Sequence, residues 1–159
     1  MSKRYPRWTN LDFLEFCHPR ILALYHYWNS KRGKRTMPSR ADIDPLDFPS
    51  YLPGIVMVDV GYEPLTLTYR LVGTREAEAR GHNPTGRSVF EAWDGRSQED
   101  VIENYQSVIA RKGPLYDADR TLDPTREWLE AGTVFLPLSD DGETVNKILI
   151  YTEYKDRLR

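Results

Sequence analysis

Apolar residues near the start of the chain follow the spacing of a helix. Pro19 suits a first helical turn and Gly33 suits a helix end, which predicts a helix over residues 19–31 or 19–32. The apolar stripe steps by threes and fours and begins before that helix. Its members are Leu14, Cys17, Ile21, Leu24, Tyr25 and Trp28. A single helix of this length is marginal in water, so the stripe must pack against something.

A second helical pattern lies in the middle of the chain. Ser97 and Asp100 resemble a capping box, and Gly113 followed by Pro114 stops a helix, so we predict one over residues 98–112. Its apolar positions are Val101, Ile102, Tyr105, Val108 and Ile109. Shorter helical pieces are predicted at residues 75–80 and 89–93.

Alternating and β-branched runs predict five strands. They cover residues 55–60, 66–72, 115–122, 128–138 and 144–154. Turn residues at 61–64 and the pair Asp141 and Gly142 indicate two hairpins. Two hairpin-like groups that flank a helical crossover predict an α+β fold, with a five-stranded antiparallel sheet and its helices on one face.

The composition narrows the class of protein. Of the 159 residues, 40% are hydrophobic and 12% aromatic, which fits one folded domain and excludes a disordered chain. The net charge of -2 gives no reason to expect nucleic acid or an anionic membrane as a partner. The apolar runs fall far short of the roughly 20 residues that a membrane span needs. We therefore expect a cytoplasmic protein.

Residues typical of catalysis or metal binding are sparse. Cys17 is the only cysteine, which excludes an internal disulfide and thiolate-rich metal sites. His18 and His26 are eight residues apart, which is not the spacing of a helical metal pair, so we expect cap or surface roles. The basic residues at 31–35 suit a helix end better than nucleic acid. Motifs for phosphate loops and nucleophile elbows are absent, so we expect no metal site and no enzyme.

Several short strings resemble a known family. They are Pro-x-Arg-x-Asp at residues 38–42, Tyr-Arg-Leu-Val-Gly-Thr at 69–74 and Thr-Gly-Arg at 85–87. Together they resemble small stand-alone bacterial PAS proteins over roughly residues 14–154. The resemblance implies an N-terminal helical extension over residues 1–37 and a PAS domain over 38–159. It also implies a sensor or interaction module.

PAS modules often hold a chromophore or ligand between the sheet and the helices. The predicted helix at 98–112 has no His, Met or Cys that could ligate haem iron. Cys17 lies in the extension, outside the PAS core where flavin adducts and the coumarate thioester would form. Haem and flavin are therefore disfavoured, which leaves an unidentified small ligand.

Such a ligand would contact aromatic and apolar side chains between the sheet and the helices, together with a histidine that follows Gly81. The candidate pocket residues are Tyr69, Leu71, His82, Phe90, Trp93, Tyr105, Ile109, Leu136, Leu149 and Tyr151. Most of them are also expected to be ordinary core residues.

The sequence thus predicts a sensory module that binds a small molecule or protein partner and signals through protein–protein interaction. A ligand-free dimerisation adaptor and a small cone-shaped α+β enzyme are the alternatives. The expected partners are a second copy and an unidentified signalling protein. We expect the stripe from Leu14 to Trp28 to form the homodimer interface, because it exceeds what one narrow sheet contact would hide. Folding of the helix onto its own sheet is the alternative.

The purified protein should show no absorbance band above the aromatic region, because the residues that hold haem or flavin are missing. An absorbance spectrum of the freshly purified chain measures this. A stoichiometric haem or flavin spectrum would contradict the prediction.

Overall fold

The computed structural model describes residues 7–93, 97–118 and 128–156. The helices are α1 (Pro19–Arg32), α2 (Thr74–Arg80), α3 (Val89–Ala92) and α4 (Gln98–Arg111). The strands are β1 (Arg7–Trp8), β2 (Ile55–Gly61), β3 (Thr66–Val72), β4 (Leu115–Asp117), β5 (Trp128–Leu138) and β6 (Lys147–Asp156). Single 3₁₀ turns occupy Leu11–Glu15, Arg40–Asp42, Pro45–Asp47 and Pro49–Gly54.

The sheet is antiparallel, with strand order β1-β4-β5-β6-β2-β3. The α+β class and both hairpins are confirmed, but this sheet has six strands where five were predicted. The extra strand is β1, whose two residues pair Arg7 with Asp117 and Trp8 with Tyr116 at the sheet edge. Two residues are too few to show a period, so the sequence pattern could not indicate this strand. Residues 119–122 of the predicted strand 115–122 lie outside the described part.

The helix ends follow from local capping chemistry. His18 caps α1, because its Nδ1 accepts a hydrogen bond from the backbone N–H of Arg20 at 3.1 Å. Ser97 caps α4, because its hydroxyl accepts from the N–H of Asp100 at 3.1 Å and donates to the carboxylate of Asp100 at 2.8 Å. Both predicted helices are confirmed to within a residue or two at either end.

Helices and turns cover both faces of the sheet. Phe135 of β5 meets the ring of Tyr105 in α4, with centroids 5.6 Å apart. Val134, the residue before Phe135, pairs with Tyr116 of β4. The ring of Tyr116 stacks on Phe13, which precedes α1, with centroids 5.1 Å apart. Since successive strand residues point to opposite faces, the two contacts define an inner face under α2–α4 and an outer face under α1.

The outer face receives the apolar stripe of the N-terminal helix. The buried members of the stripe are Cys17, Ile21, Leu24, Tyr25 and Trp28, and Leu14 is partly buried. Trp28 also donates its indole N–H to the carbonyl of Pro137 at 2.8 Å. The expectation that the stripe is exposed to a dimer partner is therefore wrong for the single chain.

The physical reason is that the outer face is itself apolar. Leu136, Leu138 and Leu149 point toward α1, and Phe13, Met37 and Phe48 from the flanking turns close the edges of the contact. Apolar surfaces on one chain pack together without the loss of freedom that association of two chains entails. A homodimer stays a prediction, and it would need a different surface.

Trp28 is expected to anchor α1 to the sheet. Trp28→Phe should destabilise the protein by about 1–3 kcal/mol, because the buried Pro137 carbonyl loses its donor. Trp28→Ala should cost about 3–5 kcal/mol, because a cavity opens as well. Urea denaturation measures both, and Leu46→Ala is the control because Leu46 is exposed. Equal stability of the two Trp28 variants and the wild type would contradict the packing of α1 on the sheet.

Candidate functional site

The predicted pocket residues do not converge on one site. Tyr69 and Tyr105 are buried on the inner side, with partly buried Phe90, Trp93 and Ile109 packed against the same core. His82 is exposed.

Four other predicted pocket residues belong to the outer side. Leu136, Leu149 and Tyr151 are buried there, and Leu71 is 47% exposed on β3. The prediction assumed that every apolar strand residue faces one covered side. It fails because both faces are covered, so both sets of alternating residues are apolar.

A row of buried polar side chains crosses the inner face, and we call it the inner polar row. Asp117, Thr133 and Thr152 lie side by side on β4, β5 and β6, because Asp117 pairs with Thr133 and Thr133 with Thr152. The hydroxyls of the two threonines are 2.8 Å apart and hydrogen-bonded. Asn104 of α4 and Glu76 of α2 complete the row from the helical side, and all five residues are buried.

Asn104 covers the β4 end of the row. Its carboxamide nitrogen donates to the carboxylate of Asp117 at 2.7 Å. Its carboxamide oxygen is buried and has no hydrogen-bond partner in the structure. Buried polar atoms are nearly always hydrogen-bonded, so this oxygen is an unusual acceptor that lacks a donor.

Glu76 covers the β6 end of the row and is 2% exposed. Burial raises the pKa of its carboxyl, because the charged form loses its hydration. Hydrogen bonds from Tyr154 and Thr152 and the guanidinium groups of Arg80 and Arg75 act in the opposite direction. Burial is the largest of these opposing influences, so the net direction is upward.

Two tyrosines form the wall between Glu76 and the aromatic core. Arg80 donates to the hydroxyl of Tyr69 at 3.0 Å, and its guanidinium carbon lies 5.1 Å from the centroid of that ring. Tyr105 lies beside them, and burial raises the pKa of its hydroxyl. These two rings give the inner side of the sheet an aromatic surface beside the Arg80 guanidinium.

A separate polar cluster lies on the outer side of β6, and we call it the Tyr151 cluster. Arg20 of α1 donates from Nε to the hydroxyl of Tyr151 at 3.1 Å, and that hydroxyl donates to Glu153 at 2.5 Å. The Arg20 guanidinium also lies 4.1 Å from the ring centroid of Tyr51. Burial and the hydrogen bond to Glu153 raise the pKa of Tyr151. These contacts fix the start of α1 to the central strand.

Helix α2 contacts both polar groups through consecutive residues. Arg75 donates from Nη2 to the backbone carbonyl of Thr152 at 2.6 Å, and its Nη1 lies 4.0 Å from Glu153 in the Tyr151 cluster. Glu76, the next residue, belongs to the inner polar row. One short helix therefore links the inner face to the outer face around β6.

Gly54 makes room for this link. A Cβ atom at residue 54 would lie 2.2 Å from Nη2 of Arg75 and 2.9 Å from the ring of Tyr151. Such distances do not occur in folded proteins, so any larger residue would displace the guanidinium. Glycine at residue 54, immediately before β2, thus allows the Arg75 guanidinium to lie where it does.

Metal binding and membrane insertion receive no support in the described ranges. No group of three or more His, Cys, Asp or Glu side chains there is arranged to hold a metal ion. Within those same residues, no helix has both the length and the apolar character to cross a bilayer.

The sequence pattern did not indicate the inner polar row. Asn104, Asp117 and Glu76 are polar residues of ordinary types, in segments where exposed polar residues are common. Thr133 and Thr152 gave a weak signal, since each directly adjoins an apolar run of its strand, residues 134–138 and 148–151. Threonine is common in strands, so this signal alone does not identify a site.

The architecture defines the class of protein. Two hairpins form one antiparallel sheet, three helices between them cross its inner face, and polar groups are enclosed beneath those helices. A family profile described as PAS domain matches residues 16–151. The chain belongs to the PAS domain family, whose members are typically sensory, non-enzymatic modules.

Comparison with solved structures gives several matches. One of them is described as the structure of an RNA-binding light-oxygen-voltage receptor, with 13% sequence identity and a TM-score of 0.49. The match covers 99% of this chain and 41% of the receptor chain, so this chain spans less than half of that receptor. No curated protein matches the chain.

Glu76 should make stability depend on pH in a defined direction. Because its native pKa is raised above the ordinary value of 4.5, the native state keeps a proton that the unfolded chain has lost. This contribution is present below pH 4.5 and is lost as the pH rises through the native pKa. Glu76→Gln cannot titrate, so its melting temperature relative to the wild type should increase from acid to neutral pH.

Thermal unfolding across that pH range measures the effect. Glu78→Gln is the matched control, because Glu78 lies on the same helix and is exposed. Parallel pH profiles for the wild type and Glu76→Gln would show that the raised pKa is wrong.

Proposed function

We propose that this chain is a PAS sensory module that binds a small molecule at the inner polar row and signals to a partner protein through the α1 side of the sheet. The observation that supports the proposal most directly is the position of α2. Its consecutive residues Arg75 and Glu76 contact opposite faces of the sheet.

The inner polar row supports the binding step. Ligand sites in proteins are mostly apolar enclosures with a few convergent polar groups. Here Asn104, Asp117, Thr133, Thr152 and Glu76 converge from three strands and two helices, beside aromatic residues of the core. A fold that needed only stability would gain little from this arrangement, since buried polar groups contribute less than apolar packing of the same volume.

The short length of α2 supports the transmission step. A helix of seven residues is not stable by itself, so its position depends on the contacts of its side chains. Ligand contact or a change of protonation at Glu76 would alter those contacts. Arg75 would move with the same helix, and its contacts to Thr152 and Glu153 would alter the Tyr151 cluster and the start of α1.

The outer face supports the output step. Arg20 joins the first turn of α1 to β6, and Tyr51 donates to the Arg20 carbonyl at 2.9 Å. Loosening of these bonds would change how α1 covers the sheet and so change the surface offered to a partner. This use of α1 differs from the predicted static homodimer interface, because the stripe is buried until the signal acts.

A coupling experiment tests the proposal. Glu76→Gln perturbs the inner site, and hydrogen exchange reports the amides of α1 at the other face. We expect Glu76→Gln to change exchange in α1 several-fold in the wild-type background and to leave it unchanged in the Arg75→Gln background. The expected coupling is about 0.5 kcal/mol or more, the size found for side chains within one network.

The exposed Glu78 again provides the control, because Glu78→Gln alters the charge of α2 without contacting either polar group. If Glu76→Gln leaves α1 unchanged, or if its effect persists without Arg75, the route through α2 is wrong. The first of these results would favour the ligand-free adaptor.

A further inference from the structure

The hydrogen bond between Asn104 and Asp117 fixes which way the Asn104 side chain is oriented. The carboxamide nitrogen of Asn104 donates to a carboxyl oxygen of Asp117 at 2.7 Å. The oxygen is then directed away from Asp117.

This orientation leaves an acceptor without a donor inside the protein. Asn104 is 5% exposed, and its carboxamide oxygen has no partner in the structure. Leaving a buried acceptor unpaired costs free energy that a donor from a ligand would recover. The same position disfavours an acceptor on the ligand, because the oxygen would repel it.

The neighbouring groups limit the charge of what can bind. The Asn104 carboxamide donates to Asp117, and Arg7 forms ion pairs with Asp100 and Glu103 of α4 at 3.6 and 3.2 Å. A carboxylate or phosphate placed at the Asn104 oxygen would face it with acceptor oxygens alone, and two acceptors repel each other. A neutral or cationic group meets no such repulsion.

The apolar neighbours indicate the rest of the molecule. The ring of Tyr105, the residue after Asn104, lies nearly perpendicular to Phe135, with an interplanar angle of 88°. Both rings belong to the buried inner core. A flat apolar body attached to the donor group would pack on these rings.

We infer that the inner polar row recognises a small neutral or cationic molecule through an N–H donor bound by the Asn104 oxygen, and that it rejects carboxylates and phosphates. This inference rests on the proposed function, since it assigns a ligand class to the same site.

Three probes of similar size test the inference. Benzamide is neutral and has an N–H donor, methyl benzoate is neutral and has none, and benzoate is an anion. Each is titrated into the isotopically labelled full chain. The backbone amide signals of Asn104, Thr133 and Thr152 and the carboxamide signal of Asn104 are followed by NMR. We expect benzamide alone to shift these signals in a saturable way.

A variant removes the acceptor. Asn104→Leu keeps the approximate volume and removes the carboxamide oxygen together with the nitrogen that donates to Asp117. It should weaken benzamide binding about tenfold, as expected for the loss of one well-placed hydrogen bond. Asn83→Leu is the control, because Asn83 is exposed in a turn after α2. If Asn104→Leu does not fold, the comparison of the three probes on the wild-type chain still decides the question.

The outcomes are distinct. Binding of benzoate or methyl benzoate as tight as that of benzamide, or benzamide binding unchanged in Asn104→Leu, overturns the inference and leaves the proposed function intact. Absence of benzamide binding also overturns it and makes the Asn104 oxygen a hydration site. The proposed function fails separately, through the exchange experiment on Arg75 and Glu76, which uses no probe.

Discussion

A strand that is covered on both faces can contain polar side chains only where they have hydrogen-bond or ionic partners. The second half of β6 contains four polar side chains in succession. Tyr151 and Glu153 point outward, whereas Thr152 and Tyr154 point inward. Each must be satisfied away from water, because a buried polar group without a partner destabilises the fold. The partners are Arg20 from α1 and Arg75 and Glu76 from α2. The need to satisfy β6 therefore determines where both helices lie.

The same constraint explains why the N-terminal helix is part of the domain. Without α1, the outer side of the sheet would expose a wide apolar surface and the side chain of Tyr151 with its hydroxyl. Exposed surfaces of that kind are sites of association. The helix removes the surface, and the Arg20 contacts determine its position along β6. A helix held by an apolar stripe along its length and by polar contacts at its start can loosen at that start without leaving the sheet.

Local periodicity predicted the elements of the fold but not how they face one another. Helices α1 and α4 and both hairpins were predicted because their apolar spacing, caps and turn residues are local signals. The side of the sheet that α1 covers depends on contacts between residues more than a hundred positions apart, such as Trp28 with Pro137. The prediction that Leu149 and Tyr151 line an inner pocket was wrong for this reason. The inner polar row was missed because strand register, which no local pattern specifies here, brings Asp117, Thr133 and Thr152 together.

The arrangement also separates the roles of two polar groups that lie on one strand. In the Tyr151 cluster, the carboxylate of Glu153 lies near the guanidinium groups of Arg20 and Arg75, so its charge is well compensated. The cluster therefore suits a structural role. The inner polar row has an acceptor without a partner at its Asn104 end and a buried carboxyl of raised pKa at its Glu76 end, so its polar groups are less completely compensated. Helix α2 contacts both groups through neighbouring residues. In the proposed function, this asymmetry sets the direction of the signal, from the inner face to the face that α1 covers.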